Sequence, residues 1–249
     1  MSRPRLLVFD LDGTLIDSSL DLCNSVNAAM TAVDKPTLPN ALIASYIGDG
    51  AAMLVRRALG DPGDLDSRDP DSRDPDSLEP DARDPSAGAP LFHRAFDLFL
   101  AHYREHKLDN TRCYPGVLEA LTTIRTRNPD LPMAVLTNKP VNPSREICRA
   151  LALEPFLFQT YGGNSFASKK PDPEGLLTLI SEAAHLAGSS IAPESVVMIG
   201  DSDVDILTAR RVGARSVGCL FGLAPHTLEA AQPDLTVRHP SEWPTVLSL

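Results

Sequence analysis

The sequence predicts an α/β fold in which a Rossmann-like parallel sheet carries helices on both faces and a helical segment is inserted after the first strand. Short apolar runs recur along the chain, and most are followed by residues with the spacing of an amphipathic helix. An apolar run without alternation is typical of a strand buried on both faces, as in parallel sheets covered by helices. Because strand and helix alternate, parallel strands with right-handed crossovers are expected.

Composition and charge limit the classes of function. The chain has 249 residues, of which 43% are hydrophobic, which suits one large α/β domain or a core domain with a smaller one. No apolar run approaches the roughly 20 residues of a membrane span, and the amino terminus lacks the pattern of a secretory signal. We therefore expect a cytoplasmic protein with no membrane partner and with reduced cysteines. The net charge of −10 argues against a nucleic-acid partner.

The first apolar run, Leu6–Phe9, leads directly into Asp10, Leu11, Asp12 and Gly13. In open α/β sheets, ligands bind beyond the carboxyl ends of the strands. Continued alternation would send the Asp10 and Asp12 carboxylates to one side and Leu11 into the core. A hard cation such as Mg²⁺ would keep both carboxylates ionised and leave coordination sites for a substrate phosphate. An acidic turn that merely ends a strand fits the same pattern.

The turn Gly48–Asp49–Gly50 separates predicted helices. Helical spacing and start signals are found over 16–31, 42–46 and 51–59. Because free N–H groups at a helix start favour anions, Gly48 and Gly50 could hold a substrate carboxylate, with Arg56 or Arg57 nearby. A simple joint between two helices, with solvated arginines, is the alternative.

Residues 66–85 form a five-residue repeat in which every unit ends in proline. The surrounding segment Asp61–Pro90 holds ten acidic residues and three arginines, which is a net charge of −7. Proline in each unit excludes a continuous helix or central strand, and almost no apolar side chain is present for burial. We therefore predict a mobile, extended insertion. The repeat lacks the turn glycine and the closing glutamate of a calcium loop.

The remainder of the chain continues the alternation of strand and helix. Helices are predicted over 91–108, 117–127, 141–151 and 174–187, and strands over 133–136, 156–158, 196–199, 215–220 and 235–237. The aromatic stripe in the first of these helices, which includes Phe92, Phe96 and Phe99, is expected to be core.

Polar residues follow three of these strands. Thr137 and Asn138 are placed to donate to a phosphate, although such pairs also cap helices. Lys170 precedes a proline, which restricts it and suits a group that must meet an anion, whereas most lysines are simply solvated. The run Val196–Ile199 leads straight into a second acidic stretch. The carboxyl ends of parallel strands share one edge, so the following residues should meet there: Asp10, Asp12, Thr137, Asn138, Lys170, Asp201 and Asp205.

These residues, in this order, resemble the four motifs of the haloacid dehalogenase superfamily, namely D-x-D-G-T at Asp10–Thr14, a strand-end threonine at Thr137, a lysine before proline at Lys170, and G-D-x-x-x-D at Gly200–Asp205. The first and last motifs are specific, whereas the middle two are weak taken singly. The resemblance implies that Asp10 is the nucleophile and Asp12 the general acid and base. It implies that Lys170 neutralises charge and that Thr137 donates to the phosphate.

The resemblance also implies a cofactor and a domain organisation. Mg²⁺ would be held by Asp10, Asp201 and the Asp12 carbonyl, with Asp205 in support. Residues 1–17 and 111–249 would form the core, and 18–110 a helical cap that contains the insertion 61–90. Within the superfamily, the sequences at 114–116, 162–163, 169–173 and 200–202 look most like bacterial phosphoglycolate phosphatases and their sugar-phosphatase relatives.

The expected activity is Mg²⁺-dependent phosphomonoester hydrolysis through an aspartyl phosphate, with 2-phosphoglycolate as the favoured substrate and a monomer or homodimer as the enzyme. A sugar-phosphate phosphatase, a pyrophosphatase or a phosphosugar mutase of the same superfamily would use the same aspartates, and a mutase would also need to protect its phosphoenzyme from water. A non-enzymatic phospho-receiver also clusters aspartates with a threonine and a lysine. It needs no inserted segment as long as 18–110, so chain length favours the enzyme.

Overall fold

The computed structural model describes residues 3–60 and 90–249. The acidic repeat at 66–85, for which the sequence predicts an extended mobile loop, lies outside the described residues.

Six strands form one parallel sheet, and two short strands form a separate pair. The strands are β1 (Leu6–Phe9), β2 (Ile16–Asp17), β3 (Arg112–Cys113), β4 (Met133–Leu136), β5 (Gln159–Tyr161), β6 (Val196–Gly200), β7 (Arg215–Cys219) and β8 (Leu235–Val237). The sheet order is β5-β4-β1-β6-β7-β8, with every neighbouring pair parallel. The predicted parallel α/β sheet is therefore confirmed.

The helices lie on both faces of this sheet and in the inserted segment. They are α1 (Ser19–Ala32), α2 (Asn40–Ala44), α3 (Ala51–Leu59), α4 (Leu91–His106), α5 (Val117–Arg127), α6 (Val141–Ala150), α7 (Glu174–Ala187), α8 (Asp203–Val212), α9 (Leu228–Ala231) and α10 (Trp243–Val246). None of the helices in the described part of the chain is long and apolar enough to cross a membrane.

The central strand β1 shows why its apolar run is continuous. Leu7 and Phe9 belong to the hydrophobic cluster that α5, α6 and α10 cover, whereas Leu6 and Val8 belong to the cluster that α7 and α8 cover. All four side chains are fully buried, and the Phe9 ring centroid is 5.3 Å from that of Trp243. Full burial of an apolar side chain contributes about 1.5–3 kcal/mol relative to exposure, so both faces of β1 stabilise the sheet.

Helices α1 to α4 have a hydrophobic cluster of their own. The predicted aromatic stripe of α4 lies inside it, and Phe92, Phe96, Phe99 and Tyr103 stack in sequence with ring centroids 5.6, 6.5 and 5.7 Å apart. The prediction that this stripe is core is confirmed.

Two local assignments from the sequence were wrong. Ile16 and Asp17 do not start a helix but pair as β2 with β3 (Arg112–Cys113), so the chain enters and leaves the helical segment through one antiparallel ribbon. Such pairing between distant residues leaves no local pattern. The apolar run 156–158 precedes the fifth strand, because Glu154–Phe156 form a 3₁₀ turn and the strand is Gln159–Tyr161. As an edge strand, β5 pairs only with β4 and needs no continuous apolar run.

Candidate active site

The candidate site lies where β4, β1 and β6 end side by side. Asp10 follows β1, Thr137 follows β4 and Asp201 follows β6. Each of these three residues is buried. The sheet order therefore places the first, second and fourth sequence motifs at one edge of the sheet, as parallel strand order requires.

Lys170 joins the third motif to this edge. Its Nζ lies 2.8 Å from Asp10 Oδ1 and 2.7 Å from Asp205 Oδ1, and its side chain is 3% exposed. Asp205 is itself fixed, because its Oδ2 accepts hydrogen bonds from the Ser202 N–H and hydroxyl in a capping box at the start of α8. A buried ammonium ion held between two carboxylates stays protonated and neutralises charge beside Asp10.

Asp10, Asp201 and Asp205 form an acidic cluster beside this lysine. One oxygen of each lies within 4.8 Å of the others, and this is the group of three or more possible metal ligands found within 3–60 and 90–249. Burial raises the pKa of Asp201 to about 8, and the carboxylates of Asp10 and Asp205 add to the shift. Burial likewise raises the pKa of Asp10 to about 6, although Lys170 opposes it. An oxygen-rich, buried and mutually repelling donor set of this kind fits a divalent cation such as Mg²⁺.

The carboxylate of Asp12 does not join that cluster. It accepts a hydrogen bond of 2.5 Å from the Ser18 hydroxyl and pairs with Lys139 Nζ at 3.0 Å. The expectation that the Asp10 and Asp12 carboxylates close on one cation is therefore corrected. Strand β1 ends at Phe9, and the Leu11 carbonyl already accepts turn hydrogen bonds, so the two-residue alternation does not continue to Asp12. For Asp12, the backbone carbonyl remains a predicted metal ligand and the side chain does not.

Gly13 allows this turn to pass close to Asp201. A Cβ atom at Gly13 would lie 2.2 Å from Asp201 Oδ2, and the glycine has a φ of +88°. Asp201 Oδ2 also accepts hydrogen bonds from the N–H groups of Leu223 and Ala224, at 2.7 and 3.0 Å. The glycine of the first motif therefore leaves room for the aspartate of the fourth.

Lys139 is a residue of the candidate site that the sequence patterns did not predict. Its side chain is 5% exposed, and Nζ lies 4.7 Å from the centre of the Tyr103 ring as well as beside Asp12. Burial acts to lower the pKa of Lys139, but Asp12 and Tyr103 outweigh it and raise the pKa above its ordinary value. The signal was present, because Lys139 precedes Pro140 as Lys170 precedes Pro171 and directly follows Thr137 and Asn138.

Asn138 uses its side-chain amide for hydrogen bonds within the protein and not for a phosphate. Its Nδ2 donates to the Gly48 carbonyl at 3.3 Å and to the Lys170 carbonyl at 3.1 Å. Both amide hydrogens are thus engaged, which leaves none for the predicted contact with a phosphate. Asn138 instead connects the end of β4 with the glycine turn and with the segment that carries Lys170.

A cavity of about 70 Å³ lies between these strand ends and the inserted helices. Asp10, Asp12, Thr137, Asn138 and Lys139 line one part of it. The inserted segment contributes the following lining residues: Leu22, Ile47, Gly48, Gly50, Ala51, Leu54, Phe99, Leu100, Tyr103, Arg104 and Lys107. Gly48 and Gly50 therefore border the cavity, as their sequence pattern predicted.

The arginine predicted for this wall lies elsewhere. The Arg56 guanidinium is 4.0 Å from the centre of the Phe92 ring, and Arg56 is not among the lining residues. The inserted cations that line the cavity are Arg104 and Lys107, near the end of α4. Lys107 Nζ is 2.7 Å from Glu146 Oε2 on α6, so this ion pair connects the inserted segment with a helix of the sheet.

Comparison with known proteins decides the family. The model of the haloacid dehalogenase-like hydrolases matches residues 7–219, which is most of the chain. The chain belongs to the haloacid dehalogenase-like hydrolase family. The resemblance stated from the four motifs is confirmed, and so is the prediction of a hydrolytic enzyme rather than a phospho-receiver.

Similar proteins within this family are named phosphoglycolate phosphatases. One from Chromobacterium violaceum is 33% identical over 238 residues, covering 96% of this chain and 94% of its own. One from Neisseria meningitidis is 33% identical over 232 residues, covering 92% of this chain and 87% of its own. The crystal structure of a predicted phosphoglycolate phosphatase from Haemophilus somnus has a TM-score of 0.79 and 26% identity, and the match covers 99% of both chains.

Proposed function

We propose that this haloacid dehalogenase-like hydrolase is a Mg²⁺-dependent phosphomonoesterase that hydrolyses 2-phosphoglycolate to glycolate and phosphate through an aspartyl phosphate on Asp10. The observation that carries the proposal is the buried cluster of Asp10 with Lys170, Asp201 and Asp205, of which Asp10 lines a small cavity. The names of the similar bacterial proteins support the choice of phosphoglycolate.

Two aspartates divide the chemistry. Asp10 attacks phosphorus, and Lys170 holds its carboxylate in place from 2.8 Å. Asp12 protonates the leaving oxygen, and the carboxylate that results is stabilised by the donors already around it, Ser18 and Lys139. In the second step Asp12 takes a proton from the water that hydrolyses the aspartyl phosphate.

The phosphoryl group is held by residues at the strand ends. Thr137 Oγ1 accepts from the Lys139 N–H at 3.3 Å, which leaves its hydroxyl hydrogen for a phosphate oxygen. Mg²⁺, held by Asp10, Asp201 and the Asp12 carbonyl, would neutralise charge on the phosphoryl oxygens. Asp205 keeps Lys170 in position and is a supporting residue in this scheme.

The cavity favours a short substrate with a second anionic group. At about 70 Å³ the cavity is small, which supports a short substrate over a nucleotide. Arg104 lines it, as do Lys107 and its ion-pair partner Glu146, and the amino end of α3 with Gly48 and Gly50 borders it. A carboxylate can be bound by Arg104 and the N–H groups at the start of α3 while the strand ends bind the phosphate.

The inserted segment is proposed to act as a cap, with residues 1–17 and 111–249 as the core and 18–110 as the cap. Its separate hydrophobic cluster and the single β2–β3 ribbon through which it is connected support this division. Closure over a short substrate would exclude bulk water from the aspartyl phosphate until hydrolysis.

A substrate panel tests the proposal. Measured kcat/KM for 2-phosphoglycolate should exceed that for sugar phosphates, nucleotides, pyrophosphate and an uncharged aryl phosphate. Asp10→Asn is the control: its amide is a poor nucleophile, so activity on every substrate should fall far more than tenfold, where each factor of ten is about 1.4 kcal/mol of activation free energy. If a sugar phosphate or pyrophosphate were preferred, the specificity would be wrong. If Asp10→Asn retained activity within tenfold, the nucleophile would be wrong.

A further inference from the structure

A pair of histidines at the end of α4 lies outside the proposed mechanism. His102 and His106 are four residues apart, so their side chains lie on one face of the helix. Their ring centroids are 4.3 Å apart, with an angle of 31° between the ring planes. Both residues are partly exposed, so the pair is open to solvent.

The hydrogen bonds of His102 determine its tautomer. The Ser25 hydroxyl lies 2.8 Å from the Asp21 backbone carbonyl, which can only accept, so the hydroxyl hydrogen is directed there. Ser25 Oγ is also 3.0 Å from His102 Nδ1, and it must accept in this second bond. Nδ1 of His102 therefore carries the hydrogen, which leaves Nε2 with a lone pair when the ring is neutral.

His106 has the same tautomer for a different reason. Its Nδ1 lies 2.8 Å from Asp109 Oδ2, and a carboxylate oxygen accepts from the ring N–H. A carboxylate that receives the second ring N–H is the arrangement that orients metal-bound histidines and increases their basicity. Within the described chain, neither imidazole has another hydrogen-bond partner, so both Nε2 atoms are available.

We propose that His102 and His106 form a two-imidazole site for a borderline divalent transition metal such as Ni²⁺, Zn²⁺ or Cu²⁺, bound through both Nε2 atoms. Imidazole nitrogen suits these metals, whereas Mg²⁺ takes oxygen ligands. Water would complete the coordination sphere. Tyr103 and Arg104 in the same turns of α4 line the cavity, as does Lys107 directly after the helix, so a metal here would stiffen that wall.

Calorimetric titration of tag-free protein with Ni²⁺ tests the site. It is done at pH 8, where an ordinary imidazole is neutral, and with saturating Mg²⁺ to occupy the carboxylate cluster. One Ni²⁺ per chain is expected for the wild type. His102→Gln and His106→Gln should each weaken binding at least tenfold, because each leaves a single imidazole. His185→Gln, which removes an exposed histidine from α7, should leave binding unchanged.

A second measurement guards against misfolded variants. Ni²⁺ should raise the Tm of the wild type and of His185→Gln, but not the Tm of either α4 variant, since a ligand stabilises only the folded state that binds it. Circular dichroism without metal should be the same for all four proteins. The proposal fails if the wild type binds no Ni²⁺, or if His102→Gln and His106→Gln bind it as tightly as His185→Gln does.

Discussion

Each aspartate of the first motif pairs with a different lysine, and each of these lysines precedes a proline. Lys170 contacts Asp10, and Lys139 contacts Asp12. Each ammonium group pairs with a different aspartate, so the proposed nucleophile and the proposed proton carrier have separate electrostatic partners. This separation supports the proposal that two carboxylates of the same motif perform different roles.

Replacing Lys139 tests its assignment to Asp12. Lys139→Met should lower kcat at least tenfold, because the carboxylate formed when Asp12 gives up its proton loses a charged partner. The KM should change less, since Thr137 and Lys170 remain. Steady-state kinetics measure both parameters. Lys169→Met is the control, because Lys169 is the chain neighbour of Lys170 and not of Asp12, and it should change kcat much less. Equal kcat values for both variants and the wild type would refute the role.

The acidic cluster predicts proton release when Mg²⁺ binds. With pKa values of about 8 for Asp201 and about 6 for Asp10, metal-free protein at pH 7 carries on the order of one proton on these groups. Calorimetry in buffers of different ionisation enthalpy should detect its release at pH 7 and little release at pH 9. A heat that is independent of buffer at pH 7 would show that both carboxyls are already ionised.

The same shifts have a defined sign for stability. The folded pKa of Asp201 lies above the ordinary value, so the folded state binds more protons than the unfolded state between pH 3.8 and about 8. The contribution of this group to the free energy of unfolding therefore falls as pH rises through that range without metal. Added Mg²⁺ should reduce the fall in Tm between pH 4 and pH 8, because the cation favours the ionised form of Asp201.

Between elements, the start of α1 is tied to the point where the chain returns to the sheet. The Asp21 carboxylate accepts hydrogen bonds from the N–H groups of Asn110 and Thr111, from the Asn110 amide and from the Thr111 hydroxyl, at 2.7–3.0 Å. Burial acts to raise the pKa of Asp21, but these hydrogen bonds outweigh it and lower the pKa. Asp21 thus clamps both connections of the inserted segment beside the β2–β3 ribbon.

Asp21→Asn should lower the free energy of unfolding by about 2–3 kcal/mol, because a charged acceptor with several donors is lost. Asp17→Asn is the matched control: Asp17 also bonds to the start of α1 but is exposed, so a loss below about 1 kcal/mol is expected. Chemical denaturation measures both values. Because folding lowers the pKa of Asp21, this carboxylate contributes to the free energy of unfolding above its unfolded pKa of about 4. The contribution is lost as the pH falls through the folded pKa. Equal losses in the two variants would rule out the clamp.

For the whole molecule, the acidic repeat at 66–85 stays a prediction from the sequence. Replacing it with a short Gly-Ser linker should shift Tm by less than about 2 °C, because halving a flexible loop changes its closure free energy by only about 0.6 kcal/mol. The kcat should stay within twofold of the wild type. A Gly-Ser segment of the original length separates the effect of charge from that of length. A large fall in kcat for either variant would show that the repeat shapes the cap.

Local pattern was enough to determine most of the fold and to predict which residues meet at one edge of the sheet. Buried strands have continuous apolar runs, and in a parallel sheet their carboxyl ends must share an edge, so Asp10, Thr137 and Asp201 could be placed together from the sequence. The four motifs also identified the family. These inferences depend on residues that are close in the chain or on a rule of sheet topology.

Only the tertiary structure decided which side chains meet. Asp12 pairs with Lys139, which is 127 positions away, and Asn138 donates to Gly48, which is 90 positions away. The inserted segment contributes Arg104 and Lys107 to the cavity rather than Arg56, because the carboxyl end of α4 lies at the cavity whereas Arg56 packs on the Phe92 ring. Such contacts depend on how helices and strands pack in space, and the spacing of residues within one element carries no record of that packing.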